Sequence, residues 1–374
     1  MGNTVKSKYR SWLMVAAVSL FIHYLALALG QMVLNSGFSL HGFFQTLYQR
    51  FSQAGDTTRY MDIAQNGYVT EGENQINLVF YPLYPLLMRF VSLIGLSLPV
   101  SGMIVSQLSY AAASVFLYEL ILIDSDSRGA WYGVLFMALY PFSFFVLGVF
   151  TEGLFLLLSI AALYAIRKEK MVWAGCLGFL ASLSRTQGML LFFPAVYEWI
   201  AARFDGRKRS FRFSDLCLLL IPAGFCAYLF LNYALHGNFL QFLKYEADPP
   251  WYQSTQWISS NIAQHYSLAQ TYAGLRYIIY DVQVALYFLS LAVLIYGVYK
   301  KERVSYILYG AVYLGFTYLS GWMISGGRYM LCCVPLFIIL AKMKEGVPKR
   351  LLFAGSAFLF FIYNLAYMSG VAIM

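Results

Sequence analysis

The 374-residue sequence predicts an all-α polytopic membrane protein, a bundle of about eleven helices, and three observations carry that prediction. Hydrophobic residues make up 60% of the chain and charged residues only 11%, with a mean hydropathy of +0.63. A soluble domain carries about 25% charged and about 45–50% apolar residues, so a soluble enzyme is excluded. Runs such as 11–34, 216–234 and 351–373 reach the roughly 20 apolar residues that cross a bilayer, and they are too continuous for the alternating pattern of an outer-membrane barrel. Finally, the basic residues fall in short clusters between apolar runs, the arrangement that the positive-inside rule produces. The net charge of +9 therefore reports topology and predicts no nucleic-acid partner.

The elements follow in order. Lys6, Lys8 and Arg10 precede an apolar run that continues past Ala26-Leu27-Ala28 to Leu34, well beyond the roughly 7–15 apolar residues of a signal peptide. It is therefore an uncleaved first span. Basic clusters at the N-terminus and at 124–128, 167–170, 203–212, 300–303 and 342–350 mark the cytoplasmic side. Crossings then fall at 11–34, 100–123, 129–148, 151–166, 172–185, 188–202, 214–236, 278–299, 304–323, 329–341 and 351–373. The short pieces 172–185 and 188–202 have the form of half-helices meeting at a break. An odd number of crossings places the N-terminus in the cytoplasm and the C-terminus outside a cell membrane, or in the lumen if the membrane is that of a eukaryotic endoplasmic reticulum. Seven of the 26 basic residues then face outward: Arg50, Arg59, Arg89, Arg185, Lys244, Arg276 and Arg328.

Two external segments are long, and connections of that length are uncommon unless functional. The first loop, 35–99, contains a short amphipathic pattern through Tyr60, Ile63, Ala64 and Tyr68. After Tyr81-Pro82-Leu83-Tyr84-Pro85 it carries an apolar stretch to Leu98, interrupted by Arg89 and expected as a helix lying on the outer face. The second loop, 237–277, carries Phe239, Phe242, Tyr245, Trp251, Tyr252, Trp257, Tyr266 and Tyr272. No internal repeat or linker divides the chain, so residues 1–374 form a single membrane domain whose chemistry belongs on the outer face.

Four ionisable residues at the outer ends of different helices stand out. Asp56 precedes the Tyr60–Tyr68 helix, either as a helix cap or as a general base held at the membrane surface. Arg185 interrupts an apolar run, a costly position unless the cation is paired or wet. It either pairs with Glu152 or awaits an anionic ligand. Glu152 and Arg328 sit at the outward starts of two further spans, and Gly326-Gly327 beside Arg328 is either a plain turn or a close backbone approach. Together the four have the composition of a site that binds a phosphate and moves a proton. The five cysteines are odd in number, lack CxxC spacing and read as packing residues. The four histidines show no metal-ligand spacing, and the sequence contains neither a Walker A loop nor a placed GxGxxG. No cofactor or metal site is therefore expected, and an activated donor must arrive in the lipid.

In order along the chain stand Asp56 with Tyr60-x-x-Ile63-Ala64-x-x-Gly67-Tyr68 and Glu71, then Phe80-Tyr81-Pro82-Leu83-Tyr84-Pro85, then Pro141-Phe142-Ser143-Phe144-Phe145 with Thr151-Glu152-Gly153-Leu154-Phe155. Ala181-Ser182-Leu183-Ser184-Arg185-Thr186-Gln187-Gly188 follows, and then Gly327-Arg328-Tyr329 with Val334-Pro335. This order over roughly residues 50–337 resembles the PIG-V family of GPI mannosyltransferases and its bacterial relatives, in the GT-C superfamily of polytopic glycosyltransferases. The resemblance implies a GT-C-like transmembrane bundle and an inverting transferase that uses a polyprenyl-phosphate sugar, typically mannose, as co-substrate with a lipid- or glycan-linked acceptor. It implies Asp56 as catalytic base, with Asp62 as the second candidate because the family's Trp before the acidic residue is Gly55 here. It implies Arg185 and Arg328 at the donor phosphate, with Arg59, Tyr60, Tyr81, Tyr84, Glu152, Gln187 and Tyr329 as further substrate contacts. The rival expectation is a transporter or flippase for lipid-linked sugars, whose charges would sit at the bilayer midplane and often within an inverted repeat.

Overall fold

The computed structural model describes residues 2–35, 37–52, 55–204, 210–269, 280–319, 323–371 and 373. The basic residues at 207–209, Tyr272 and Arg276 lie outside the described residues. Among those described, every regular element is helical: α1 (Gly2–Asn35), α2 (Leu40–Ser52), α3 (Asp56–Asn66), α4 (Leu83–Ser92), α5 (Leu98–Ile121), α6 (Ser127–Ala138), α7 (Glu152–Arg167), α8 (Met171–Ser182), α9 (Phe192–Phe204), α10 (Leu220–His236), α11 (Gln241–Ala247), α12 (Ile258–Ala269), α13 (Val282–Tyr299), α14 (Val304–Leu319), α15 (Gly326–Leu331), α16 (Val334–Lys342) and α17 (Val347–Met368), joined in places by short 3-10 turns.

Among the described residues, five helical segments are long and apolar enough to cross a membrane: Ser7–Asn35, Leu98–Ile121, Phe213–His236, Val282–Tyr299 and Val347–Met368. The others are shorter. Helix α7 is the central one, with nearly every side chain buried between α5, α8, α9 and α16. Its close approach to α5 depends on Gly153, where a Cβ would stand 2.4 Å from the Ser106 carbonyl oxygen; small residues serve this purpose where helices pack in lipid. Helix α1 packs on α5, α6 and α17, and α10 packs on α8.

Two expected spans differ from continuous helices. The 129–148 stretch ends as a helix at Ala138 and continues through a turn into a 3-10 segment, Ser143–Leu147; Pro141 has no N–H and disfavours helical geometry in the residue before it. The 329–341 stretch breaks between Leu331 and Val334, ahead of Pro335. The 172–202 region breaks at Arg185, whose backbone is extended between α8 and the 3-10 turn Thr186–Leu191. In the first loop, α4 buries Tyr84, Pro85 and Met88 and leaves Leu86, Arg89 and Phe90 exposed, so it has one apolar outer face.

Helix α7 separates two charged clusters. Its 16 residues span about 24 Å at 1.5 Å per residue. At its C-terminal end Arg167 pairs with Asp124, which also faces Lys342 at 3.8 Å; Lys342 in turn pairs with Glu302 at 2.7 Å, and Glu198 pairs with Arg303. At its N-terminal end lies Glu152.

Candidate active site

The N-terminal end of α7 organises the second cluster. Glu152 is completely buried in the first turn of α7, where unpaired backbone N–H groups favour a negative charge. Its Oε1 takes three cationic contacts: Arg185 Nη1 at 3.0 Å, Arg328 Nε at 3.0 Å and Arg328 Nη2 at 2.9 Å. Its Oε2 is buried with no hydrogen-bond partner among the described residues. Breaking one side of a buried pair of this kind costs about 3–5 kcal/mol, because the remaining charge is left uncompensated.

Arg328 reaches Glu152 because α15 can lie close to the Phe142 ring. A Cβ at Gly327 would stand 2.2 Å from that ring, and the Gly327 N–H donates to Gln283 Oε1. The guanidinium packs over Phe145 at 4.5 Å and Phe150 at 5.0 Å. Its Nη1 then donates to Asp56 Oδ2 at 3.0 Å. Gly55, with φ +59°, is the N-cap that turns the chain into α3, and Asp56 is the first residue of that helix. A third of the Asp56 side chain, 32%, is open, against 9% for Arg328. The aspartate is thus the exposed end of a chain of ion pairs whose interior is closed.

The other end is Arg185. Besides Glu152 it reaches Thr151 Oγ1 at 3.3 Å, also through Nη1, and its guanidinium faces the Tyr329 ring at 5.4 Å. Among the described residues neither Nε nor Nη2 of Arg185 has a hydrogen-bond partner. Two arginines face two carboxylates, so the cluster as it stands is neutral, with one donor edge unused.

Of the other residues singled out in the sequence, Tyr60 lies within electrostatic range of Asp56, Glu152 and Arg185. Tyr81 lies beside the cluster, bonding Thr186 Oγ1 at 2.8 Å and stacking on Tyr228 at 3.9 Å. Gln187 is half-buried on the 3-10 turn after Arg185. Three residues sit elsewhere. The Tyr84 hydroxyl donates to the Gly102 carbonyl at 3.0 Å and meets Ser106 at 2.8 Å, within the α4–α5 contact. Arg59 reaches Asn74 and Asn77 at 3.4 and 3.2 Å. Asp62 accepts from Asn66 and Asn77, each at 2.7 Å, so its oxygens are occupied by neutral amides of its own loop.

The second loop docks on the first. Helix α11 buries Phe242 edge-on against Tyr228 at 5.2 Å, its Phe242 N–H donates to Asn232 Oδ1 at 2.9 Å, and Tyr245 Oη donates to Gln75 Oε1 at 3.0 Å. This brings Glu246, which sequence reasoning passed over, into electrostatic range of Tyr81, Tyr228 and Tyr329. Burial raises its carboxyl to about 7, the direction expected when the charged form loses water without gaining a cation. The only signal in sequence was an acid, two residues before Asp248, in an aromatic-rich loop.

No family model and no curated protein sequence matches this chain. Among solved structures it is similar to the crystal structure of the Archaeoglobus fulgidus oligosaccharyltransferase tethered to an acceptor peptide containing the NVT sequon, at 12% identity and a TM-score of 0.48. The match covers 96% of this chain and 56% of the archaeal one, so the chain spans about half the length of that protein.

Proposed function

We propose that this protein is an inverting glycosyltransferase that moves a hexose, mannose on the motif resemblance, from a polyprenyl-phosphate carrier to a lipid- or glycan-linked acceptor at the outer or lumenal membrane face. The observation that supports this reading is the four-residue chain Asp56–Arg328–Glu152–Arg185, with an exposed carboxylate at one end and an unused guanidinium edge at the other.

In this proposal the Nε and Nη2 edge of Arg185 takes the donor phosphate, and Arg328, already committed to Glu152 and Asp56, positions the base. Asp56 accepts the proton of the acceptor hydroxyl as its oxygen bonds to the anomeric carbon. The bond from that carbon to the phosphate oxygen breaks on the opposite face, and its electron pair leaves with the phosphate. Negative charge grows on the phosphate as the proton reaches Asp56, so the cation gains most in the transition state. A phosphate leaves without protonation, so one carboxylate suffices. No metal or other cofactor has a part in these steps.

The test places purified protein in liposomes with radiolabelled polyprenyl-phosphate mannose and a panel of lipid-linked and glycan acceptors. Transfer of label from the donor to an acceptor supports the reading. Label that stays on its lipid and changes leaflet identifies the rival flippase instead.

A further inference from the structure

Arg185 stands in extended backbone between the end of α8 and the 3-10 turn Thr186–Leu191, so regular helix geometry does not set its direction. The first loop grips this break on both sides of the arginine. On one side the Leu83 N–H, the first of α4, donates to the carbonyl of Leu183, the C-cap of α8, at 3.1 Å. Helix ends leave such groups without an intrahelical partner, and here the two ends satisfy one another. On the other side the Tyr81 hydroxyl meets Thr186 Oγ1 at 2.8 Å.

Tyr81 can hold its side of the grip because it is itself held. It is buried, and its ring stacks at 3.9 Å on Tyr228, a completely buried residue of α10. The Tyr228 hydroxyl in turn donates to the Leu78 carbonyl at 2.7 Å, just ahead of Tyr81 in the chain. The Tyr81 hydroxyl is thus committed to Thr186 and its ring to Tyr228. The same short segment, 80–84, also reaches the helix that carries Asp56. The rings of Phe80 and Tyr84 meet Tyr60 edge-on at 4.9 and 5.1 Å, and Tyr60 lies about one helical turn after Asp56 on α3. Residues 80 and 84 therefore hold the carboxylate's helix, while 81 and 83 hold the arginine's break.

We propose that Tyr81 is a positioning residue for the donor phosphate: through Thr186 it holds Arg185 at a set place relative to Asp56, with 80–84 as the spacer between cation and base. This rests on the reading of Arg185 as the phosphate cation. It departs from the motif resemblance, which makes Tyr81 a substrate contact, because here the hydroxyl acts on the ligand through Arg185. A fixed spacing has chemical value, since misplacing a substrate-orienting group by about 1 Å costs about 10²-fold in rate.

The experiment measures binding of undecaprenyl phosphate to the purified full-length protein in phosphatidylcholine nanodiscs, together with thermal unfolding. It compares wild type, Arg185→Gln, Tyr81→Phe, Thr186→Val and the double variant Tyr81→Phe/Thr186→Val. Wild type is expected to bind the lipid and Arg185→Gln to lose that binding. Tyr81→Phe, Thr186→Val and the double variant are each expected to weaken it by about tenfold, because all three break the same hydrogen bond. Stability separates them. Thr186→Val leaves the buried Tyr81 hydroxyl unpaired and lowers the melting temperature, whereas the double variant removes both partners and regains it. A brace that served stability alone would regain affinity together with melting temperature. Wild-type affinity in Tyr81→Phe or in the double variant therefore overturns the positioning role and leaves the Arg185 reading standing, as does a loss that multiplies to about a hundredfold in the double variant. If wild type and Arg185→Gln do not differ in binding, the phosphate reading falls and the positioning role falls with it.

Discussion

Arg185 and Arg328 carry the same charge and share the same partner oxygen, yet they are not equivalent. Arg328 makes two contacts to Glu152 and one to Asp56, whereas Arg185 contacts Glu152 only once. Arg185→Gln leaves Glu152 still paired with Arg328, and a fall in kcat/KM of about 10²–10³ is expected with a small loss of thermal stability. Arg328→Gln leaves Asp56 unpaired and Glu152 with its single contact to Arg185, and is expected to destabilise by about 3–5 kcal/mol. Thermal unfolding of the two purified variants distinguishes them, and equal losses would contradict the division of roles. Glu246 makes a pH prediction. Its folded carboxyl titrates near 7 against an ordinary 4.5, so the folded state holds this proton more tightly than the unfolded chain does. The contribution to stability is full below pH 4.5 and is lost as pH rises towards 7. Melting curves of Glu246→Gln between those values should be flatter with pH than those of wild type.

At the scale of the element, the site depends on helix ends that approach one another closely. Gly327→Ala would drive a methyl group into the Phe142 ring, move the start of α15 and withdraw Arg328 from Asp56. Overpacking of this kind costs about 1–3 kcal/mol. The expected result is lost transfer activity together with reduced stability, with part of both restored by Phe142→Leu in the same chain. No restoration in the double variant would place the defect elsewhere. The element scale also shows what the sequence made legible. Apolar runs bounded by charge marked the helical stretches, and isolated charges at their ends marked Asp56, Glu152, Arg185 and Arg328. Composition alone predicts continuous spans through Pro141 and Pro335, because it does not register a lost backbone donor. Pairing was legible only in part. The Arg185–Glu152 contact stood as one of two alternatives, but the Asp56–Arg328 bond joins positions 272 apart, beyond any local periodicity. Glu246 was missed because its significance lies in having no partner, a property of packing and not of spacing.

At the scale of the whole molecule, five helical segments among the described residues are long enough to cross alone, against the roughly 20 residues that a bilayer demands. Helix α7, with 16, ends in ion-pair clusters at both termini and is sheathed by other helices, which is how a short segment can run at membrane depth. We propose that the two clusters belong to opposite faces. In a chain whose five cysteines are replaced by alanine, Glu73→Cys and Lys170→Cys are expected to react with a membrane-impermeant maleimide from opposite sides of sealed vesicles. Labelling of both from one side would contradict the threading.

The central claim is that Asp56 is the base of a lipid-phosphate sugar transferase, held in place by Arg328. It is tested most directly by comparing donor binding with single-turnover transfer from polyprenyl-phosphate mannose for wild type and Asp56→Asn. Asp56→Asn is expected to bind the donor within about threefold of wild type, as befits a residue at the far end of the ion-pair chain from the phosphate, while transfer falls by about 10²–10⁴. Transfer by Asp56→Asn at the wild-type rate would contradict it, leaving Asp56 only the structural task of pairing with Arg328.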